Sequence, residues 1–293
     1  MNAFKNFLKE LIVGAFKSFD STLETAKNIL SGDFGLNVYD EGDIWADMVA
    51  LAGVLKPFCY SIIGICVLIE LAQVAAKVDN LRWEHGLKVA VKLVLSKVCI
   101  DIAPNFLRAC YLQATEWINN VAAFDVDNVG ASMASNVQAA LNEVNGFWTI
   151  LGLFIISAIV FLALKVCSLL IQVMAWGRVF EIYVYLAVSP LPCAFFPLGD
   201  GTGSGISHIT QKFFKSFIAV CLQGVMIILS MKIFNIIIGR AVLSMVTQLN
   251  SDPSISAQML VIEICFSMIM GAITLLLAVM KSGSWAKSIL DAA

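Results

Sequence analysis

Four ionisable side chains sit inside otherwise apolar stretches of this sequence: Glu70, Lys92, Lys97 and Asp101. In hydrocarbon such a group costs at least about 2.5–3.5 kcal/mol, so each needs a partner or water. Lys97 and Asp101 are one helical turn apart, a spacing that allows an i,i+4 pair. If the segment of Glu70 runs antiparallel to that of Lys92 and Lys97, the three lie at similar depth, which predicts a Glu70–Lys92 or Glu70–Lys97 pair. Two readings stay open: the charges hold helices together, or they line a polar path. Lys88, Lys165, Lys232 and Glu263 lie nearer the ends of apolar stretches, where long side chains snorkel to the interface.

A second constellation surrounds a proline pair. Arg178 and Glu181 precede the segment 182–196, which Pro190 and Pro192 break just after Ser189. The two charges either brace the break through a salt bridge or are simply solvated. The eight cysteines (Cys59, Cys66, Cys99, Cys110, Cys167, Cys193, Cys221 and Cys265) fall inside or at the edge of apolar segments, without a CxxC. They read as small, soft hydrophobes and not as a metal or redox set. His85 and His208 stand alone in expected loops and read as surface residues. The glycine run 199–207 lacks the preceding strand and the Lys-Ser/Thr that grip phosphate. There is no HExxH, no GxSxG and no convincing carboxylate pair. Neither catalytic, cofactor-binding nor metal-ligating residues are expected, and the chain is not read as an enzyme.

Composition says what surrounds these groups. Hydrophobic residues make up 59% of the chain and charged residues 14%, with a mean hydropathy of +0.86. An average soluble domain has about 45–50% apolar and about 25% charged residues. One core cannot hide the surplus, and lipid is its natural solvent. The net charge of -2, without a Lys/Arg cluster, argues against a duplex nucleic-acid binding face.

The elements that position the charges are therefore membrane helices. The expected fold is all-α: a polytopic bundle with about five transmembrane helices at 57–76, 88–112, 147–175, 213–239 and 259–280. The segment 182–196 is too short for a span of about 20 residues and reads as re-entrant, covered by protein or water. Pro57 suits the first turn of its helix, and Met48 to Lys56 either extend that helix or lie flat before it. The second span carries Lys88, Lys92, Lys97, Asp101 and Arg108, so it should face protein or water, with a kink at Pro104. Residues 113–146 and 240–258 form polar loops, the first with a weak helical pattern in its second half. All six tryptophans fall at proposed span ends, where indoles settle.

Residues 1–47 precede this transmembrane domain of 48–293. Phe4, Phe7, Leu8, Leu11, Ile12, Ala15, Phe16, Phe19 and Leu23 recur at three- and four-residue steps, which predicts an amphipathic helix over 3–30. It lies in the membrane interface, docks on a partner helix, or packs on its own bundle. An acidic loop follows, with no Lys or Arg over 31–47. The N-terminus shows no signal-peptide pattern, so the chain is expected to enter the membrane through its own first span.

Loop charges set the orientation. The 77–88 connection holds Lys77, Arg82 and Lys88 and belongs in the cytoplasm, whereas 113–146 has no basic residue and belongs outside. Residues 1–47 and 240–258 are then outside, and the C-terminus, with Lys281 and Lys287, is cytoplasmic.

Several local features resemble one known family. Trp176-Gly177-Arg178 with Glu181, Tyr183-Val184-Tyr185 leading into Ser189-Pro190-Leu191-Pro192-Cys193, the glycine-rich loop and Lys212-Phe213-Phe214-Lys215 are similar to the TrbL family. These are polytopic cytoplasmic-membrane subunits of conjugative type IV secretion systems, and the likeness is to versions on Gram-positive mobile elements. It covers roughly 45–285. The resemblance implies a channel or scaffold subunit that forms a homo-oligomer and helps a DNA–relaxase substrate, transiently bound, across the membrane. It implies other secretion subunits as partners, with energy from separate ATPases. The alternatives are a secondary transporter or channel for a small solute, and a bare membrane anchor.

Overall fold

The computed structural model describes residues 2–31, 44–77, 83–124, 147–195, 207–251 and 257–291. They form six long helices and one short one: α1 (Asn2–Ser31), α2 (Ile44–Lys77), α3 (Trp83–Ala123), α4 (Phe147–Val188), α5 (Pro190–Ala194), α6 (Ser207–Ser251) and α7 (Ala257–Asp291). No strand occurs among the described residues. The fold is a helical membrane bundle. Ile44–Gln73, Thr149–Ala194, Ile209–Met245 and Val261–Leu290 are long and apolar enough to cross a bilayer. The expected second span is helical within α3 but is not in this apolar set, because its charges interrupt the run.

The chain divides into two units. The first comprises Met1–Ser31, Trp117–Gly177 and Gly224–Trp285. Within it, α1 buries Ile12, Phe16, Phe19, Leu23, Ala26 and Ile29, a stripe at helical spacing, and leaves Lys17 and Glu24 exposed. The Phe19 ring meets Phe234 of α6 edge-on, with centroids 5.8 Å apart. The buried stripe fits the reading in which this helix packs on its own bundle.

Helices α4 and α7 are largely apolar, yet each buries only one stripe. In α7 that stripe is Val261, Ile264, Met268, Ala272, Leu275 and Val279, while Phe266, Met270 and Leu277 are exposed. Such two-faced apolarity suits a helix with protein on one side and lipid on the other. Gly271 lets α7 approach α6 closely: a Cβ there would lie 2.5 Å from Ile238 Cδ1.

The second unit comprises Gly32–Glu116, Arg178–Gln223 and Ala286–Ala293. Its α3 buries Val89, Ser96, Ile100, Ala103, Leu107, Tyr111 and Ala114 along one line. Trp45, Leu107, Tyr111, Ile182, Leu186, Phe217 and Val220 form one cluster of its core. Cys59, Ile63, Ile100, Ala103, Cys193 and Ala194 form another.

Several helices overrun the limits expected of them. Of the two readings of 48–56, extension of the helix is the one found, which puts Pro57 inside α2 and not in its first turn. His85 and His208 fall within α3 and α6, not in loops. The third span was expected to end at 175, but α4 runs unbroken through Trp176, Gly177 and Arg178 to Val188. A lone helical glycine costs only about 1 kcal/mol, and the Arg178–Glu181 pair supports the turn. The first part of 113–146 is the end of α3, and 240–251 is the end of α6. Trp117, Trp176 and Trp285 accordingly lie inside helices and do not mark their ends. Hydropathy marks where a helix is greasy, and a hydrated helix continues past that point. Of the expected acidic loop 31–47, residues 44–47 are the start of α2 and 32–43 fall outside the described residues, as do the patterned stretch 131–144 and most of the glycine run.

Phe16 is fully buried. Phe16→Ala is expected to destabilise the detergent-purified protein by about 3–5 kcal/mol. Thermal unfolding measures this. A melting temperature equal to that of the parent shows that α1 is not held by the bundle.

Candidate functional site

In the second unit, helices α2 and α3 run antiparallel and carry a polar seam. Lys56, Tyr60 and Glu70 share a face of α2, at i, i+4 and i+14. At one level Lys56 Nζ and the Tyr60 hydroxyl both donate to Asp101 Oδ1, each at 3.1 Å. At another, Lys92 Nζ donates to Glu70 Oε1.

The two levels differ in shelter. The Glu70 and Lys92 side chains are 14% and 19% exposed, against 45% and 30% for Asp101 and Lys56. Glu70 Oε2 is buried and has no hydrogen-bond partner among the described residues. Burial makes the Glu70–Lys92 pair costly to break, because either charge left alone keeps its desolvation penalty. The half-exposed pair is worth much less wherever water reaches it.

Helix α3 accommodates its charges by position. Val91, Val94, Leu95, Val98, Ile102 and Phe106 form an exposed apolar stripe opposite the buried one. Lys97, Asp101 and Arg108, at i, i+4 and i+11, occupy one flank between the two stripes. The Arg108 guanidinium lies 5.6 Å from the centre of the Trp45 ring, within cation–π range.

The proline-broken end of α4 packs on this hairpin. Neither Pro190 nor Pro192 has an N–H, so the regular ladder stops at Ser189, whose N–H reaches back to Leu186 O at 3.2 Å. α5 follows for five residues and ends on the Phe195 N–H, which bonds the Pro192 and Cys193 carbonyls. Side chains from two other helices complete those acceptors. Ser96 of α3 donates to Cys193 O at 2.9 Å, and Thr210 of α6 donates to Pro192 O at 2.7 Å. Pro190, Pro192, Cys193 and Ala194 are all buried. The Tyr185 ring meets Phe213 at a tilt and Phe217 edge-on, with centroids 5.4 and 6.0 Å apart, which ties the preceding turn to α6.

Arg178 Nη1 bonds Glu181 Oε2 at 2.5 Å, one turn apart on α4. Glu70 and Lys92 come together, as do Lys56 and Asp101; Lys97 and Asp101 share a flank, but the hydrogen bonds to Asp101 come from Lys56 and Tyr60. Ser189 is fully buried at the break, with its hydroxyl unpartnered among the described residues.

Sequence reasoning missed Lys56, Tyr60, Ser96 and Thr210. Lys56 stands in the stretch 48–56, whose place inside or before the helix the sequence leaves open, although it lies a four-residue step from Tyr60. Ser96 and Thr210 carry no local signal, since a hydroxyl in a helix normally bonds its own backbone. Ser157 and Ser168 do so here, to Phe154 O and Lys165 O.

A family model described as TrbL/VirB6 plasmid conjugal transfer like protein matches residues 43–190, half of the chain. The match covers α2, α3 and α4 and ends at the first proline of the break. No curated protein and no solved structure matches the chain.

Removing Lys92 strands a sheltered carboxylate. Lys92→Met is expected to cost about 3–5 kcal/mol, and adding Glu70→Met to recover most of that loss. A double-mutant cycle on thermal unfolding measures both. Equal losses in the single and double variants would show that the pair carries no coupling.

Proposed function

We propose that this chain, which belongs to the TrbL/VirB6-like family of plasmid conjugal transfer proteins, is the channel and scaffold subunit in the membrane part of a conjugative type IV secretion machine. The family match over the seam-bearing helices is the observation that carries this reading. The subunit sits in the cytoplasmic membrane as a homo-oligomer and helps a DNA–relaxase substrate cross. Other secretion subunits surround it, and separate ATPases supply the energy. Its own part is passive, as nothing in the sequence suggests a nucleotide site.

Five crossings fit this role, with the N-terminus outside and the C-terminus in the cytoplasm. Helix α3 counts among them despite its charges. The exposed stripe from Val91 to Phe106 offers lipid an apolar face, while the ion pairs meet α2. The described part of the broken end, 182–195, lies beside α2 and α3, and backbone of that kind is tolerated at membrane depth when protein covers it. The half-hydrated Lys56–Asp101–Tyr60 group is suited to line a wet path. The Glu70–Lys92 pair instead fastens the two helices. A secondary transporter is less well supported, because such proteins pair matching broken helices in two halves. Here the broken helix of the second half has no counterpart among the described residues of the first.

Deleting the gene is expected to abolish transfer of its mobile element, and supplying the intact gene in trans to restore it. Transfer at the parental frequency from the deletion strain removes conjugation from consideration. For the topology, Asp127→Cys is expected to react with an impermeant maleimide from outside, and Ser204→Cys to react only after permeabilisation. Equal labelling of both from outside overturns the orientation.

A further inference from the structure

Cys99 and Cys193 are far apart in sequence, yet their sulfurs are 3.1 Å apart. Three observations give the pair a direction. The first is that Cys193 is held in place: Ser96, one turn before Cys99 on α3, donates to the Cys193 carbonyl. Its sulfur meets that of Cys99 on α3, from a short helix that Thr210 also holds. The second is that access comes from one side only. Cys193 is fully buried, whereas Cys99 is partly exposed. The third is the nature of that side. Leu95 and Ile102, at i−4 and i+3 from Cys99, are 49% and 54% exposed. The Cys99 thiol thus opens beside an exposed apolar surface, which faces lipid if α3 crosses the membrane.

We propose that Cys99 and Cys193 form a dithiol site that a lipid-soluble quinone oxidises to a disulfide. Two S–H bonds break and one S–S bond forms; the two electrons and two protons pass to the quinone, which leaves as the hydroquinone. Both sulfurs belong to the chain and already touch, so the step needs no large movement of α3. Water-soluble disulfides are poor oxidants here, since exchange needs a thiolate in reach of water. Cys59 packs in the same cluster, but the sulfur in contact with that of Cys193 is the Cys99 one. The product covalently ties the broken end of α4 to α3. This inference rests on the membrane crossing of α3 proposed above, and not on the secretion role.

The test uses the full-length protein in lipid nanodiscs. It is treated with a decyl-substituted benzoquinone whose ring is otherwise fully substituted, so that thiols do not add to it. Free thiols are then alkylated under denaturing conditions and counted by mass spectrometry. Two of the eight cysteines are expected to escape alkylation, with a reductant-sensitive link between the peptides holding Cys99 and Cys193. The link should vanish in Cys99→Ser and in Cys193→Ala, and persist in Cys59→Ser. Oxidised glutathione at the same concentration should give less than a tenth as much. Eight alkylated cysteines after quinone treatment, or a link through Cys59, overturns the dithiol site. Equal oxidation by glutathione disulfide overturns the lipid-side access. The peptide map of the unsubstituted protein decides the matter even if a variant fails to fold.

Discussion

A helix that ends in surroundings without water leaves carbonyl oxygens that only protein can satisfy. In this chain that need is concentrated at α5, where two prolines stop the α4 ladder. Its last carbonyls are taken by the Phe195 N–H, by Ser96 and by Thr210, both of these hydroxyl donors being buried. Each donor comes from a different helix, so the bonds also fix where α3 and α6 stand around the break. The small residues Cys59, Ala103 and Ala194 then let the helices close on it. Tyr185 with Phe213 and Phe217 secures the turn before it. Much of the second unit is arranged around these few backbone acceptors.

The same economy governs the charges. Helix α3 has a buried stripe and an exposed apolar stripe, and its ionisable groups lie on the flanks between them. A flank is the one place where a charged head can reach a neighbouring helix while its stem covers apolar surface. Glu70 with Lys92 is the sheltered result, and Lys56 with Asp101 and Tyr60 the more open one. A passive conduit needs both kinds of contact. Sheltered pairs keep helices in register, and half-hydrated ones give water a foothold. Under the proposed function the two levels of the seam divide these tasks.

Much about this protein was legible in the residues themselves. The apolar surplus, the stripe on α1 and the position of the proline break each follow from residue type and local spacing, and each appears in the structure. The charges of α3 already pointed to partners on a neighbouring helix, and the likeness around Trp176 to Cys193 already indicated the family. Helix ends were the weak point. Pro57 inside α2 and the unbroken run through Gly177 contradict local rules, because the packing of whole helices outweighs a propensity penalty of a few kcal/mol or less.

Hydropathy and periodicity are sums over neighbours in sequence, and on their own they determined the class of this protein: membrane helices with a few sheltered charges and one broken end. Only the tertiary structure decided that Asp101 bonds Lys56 and not its own helical neighbour, that Ser96 and Thr210 complete the break, and that Cys99 meets Cys193. Those choices depend on how helices rotate and slide against one another. That is set by the joint packing of many side chains distant in sequence, and no local window contains it.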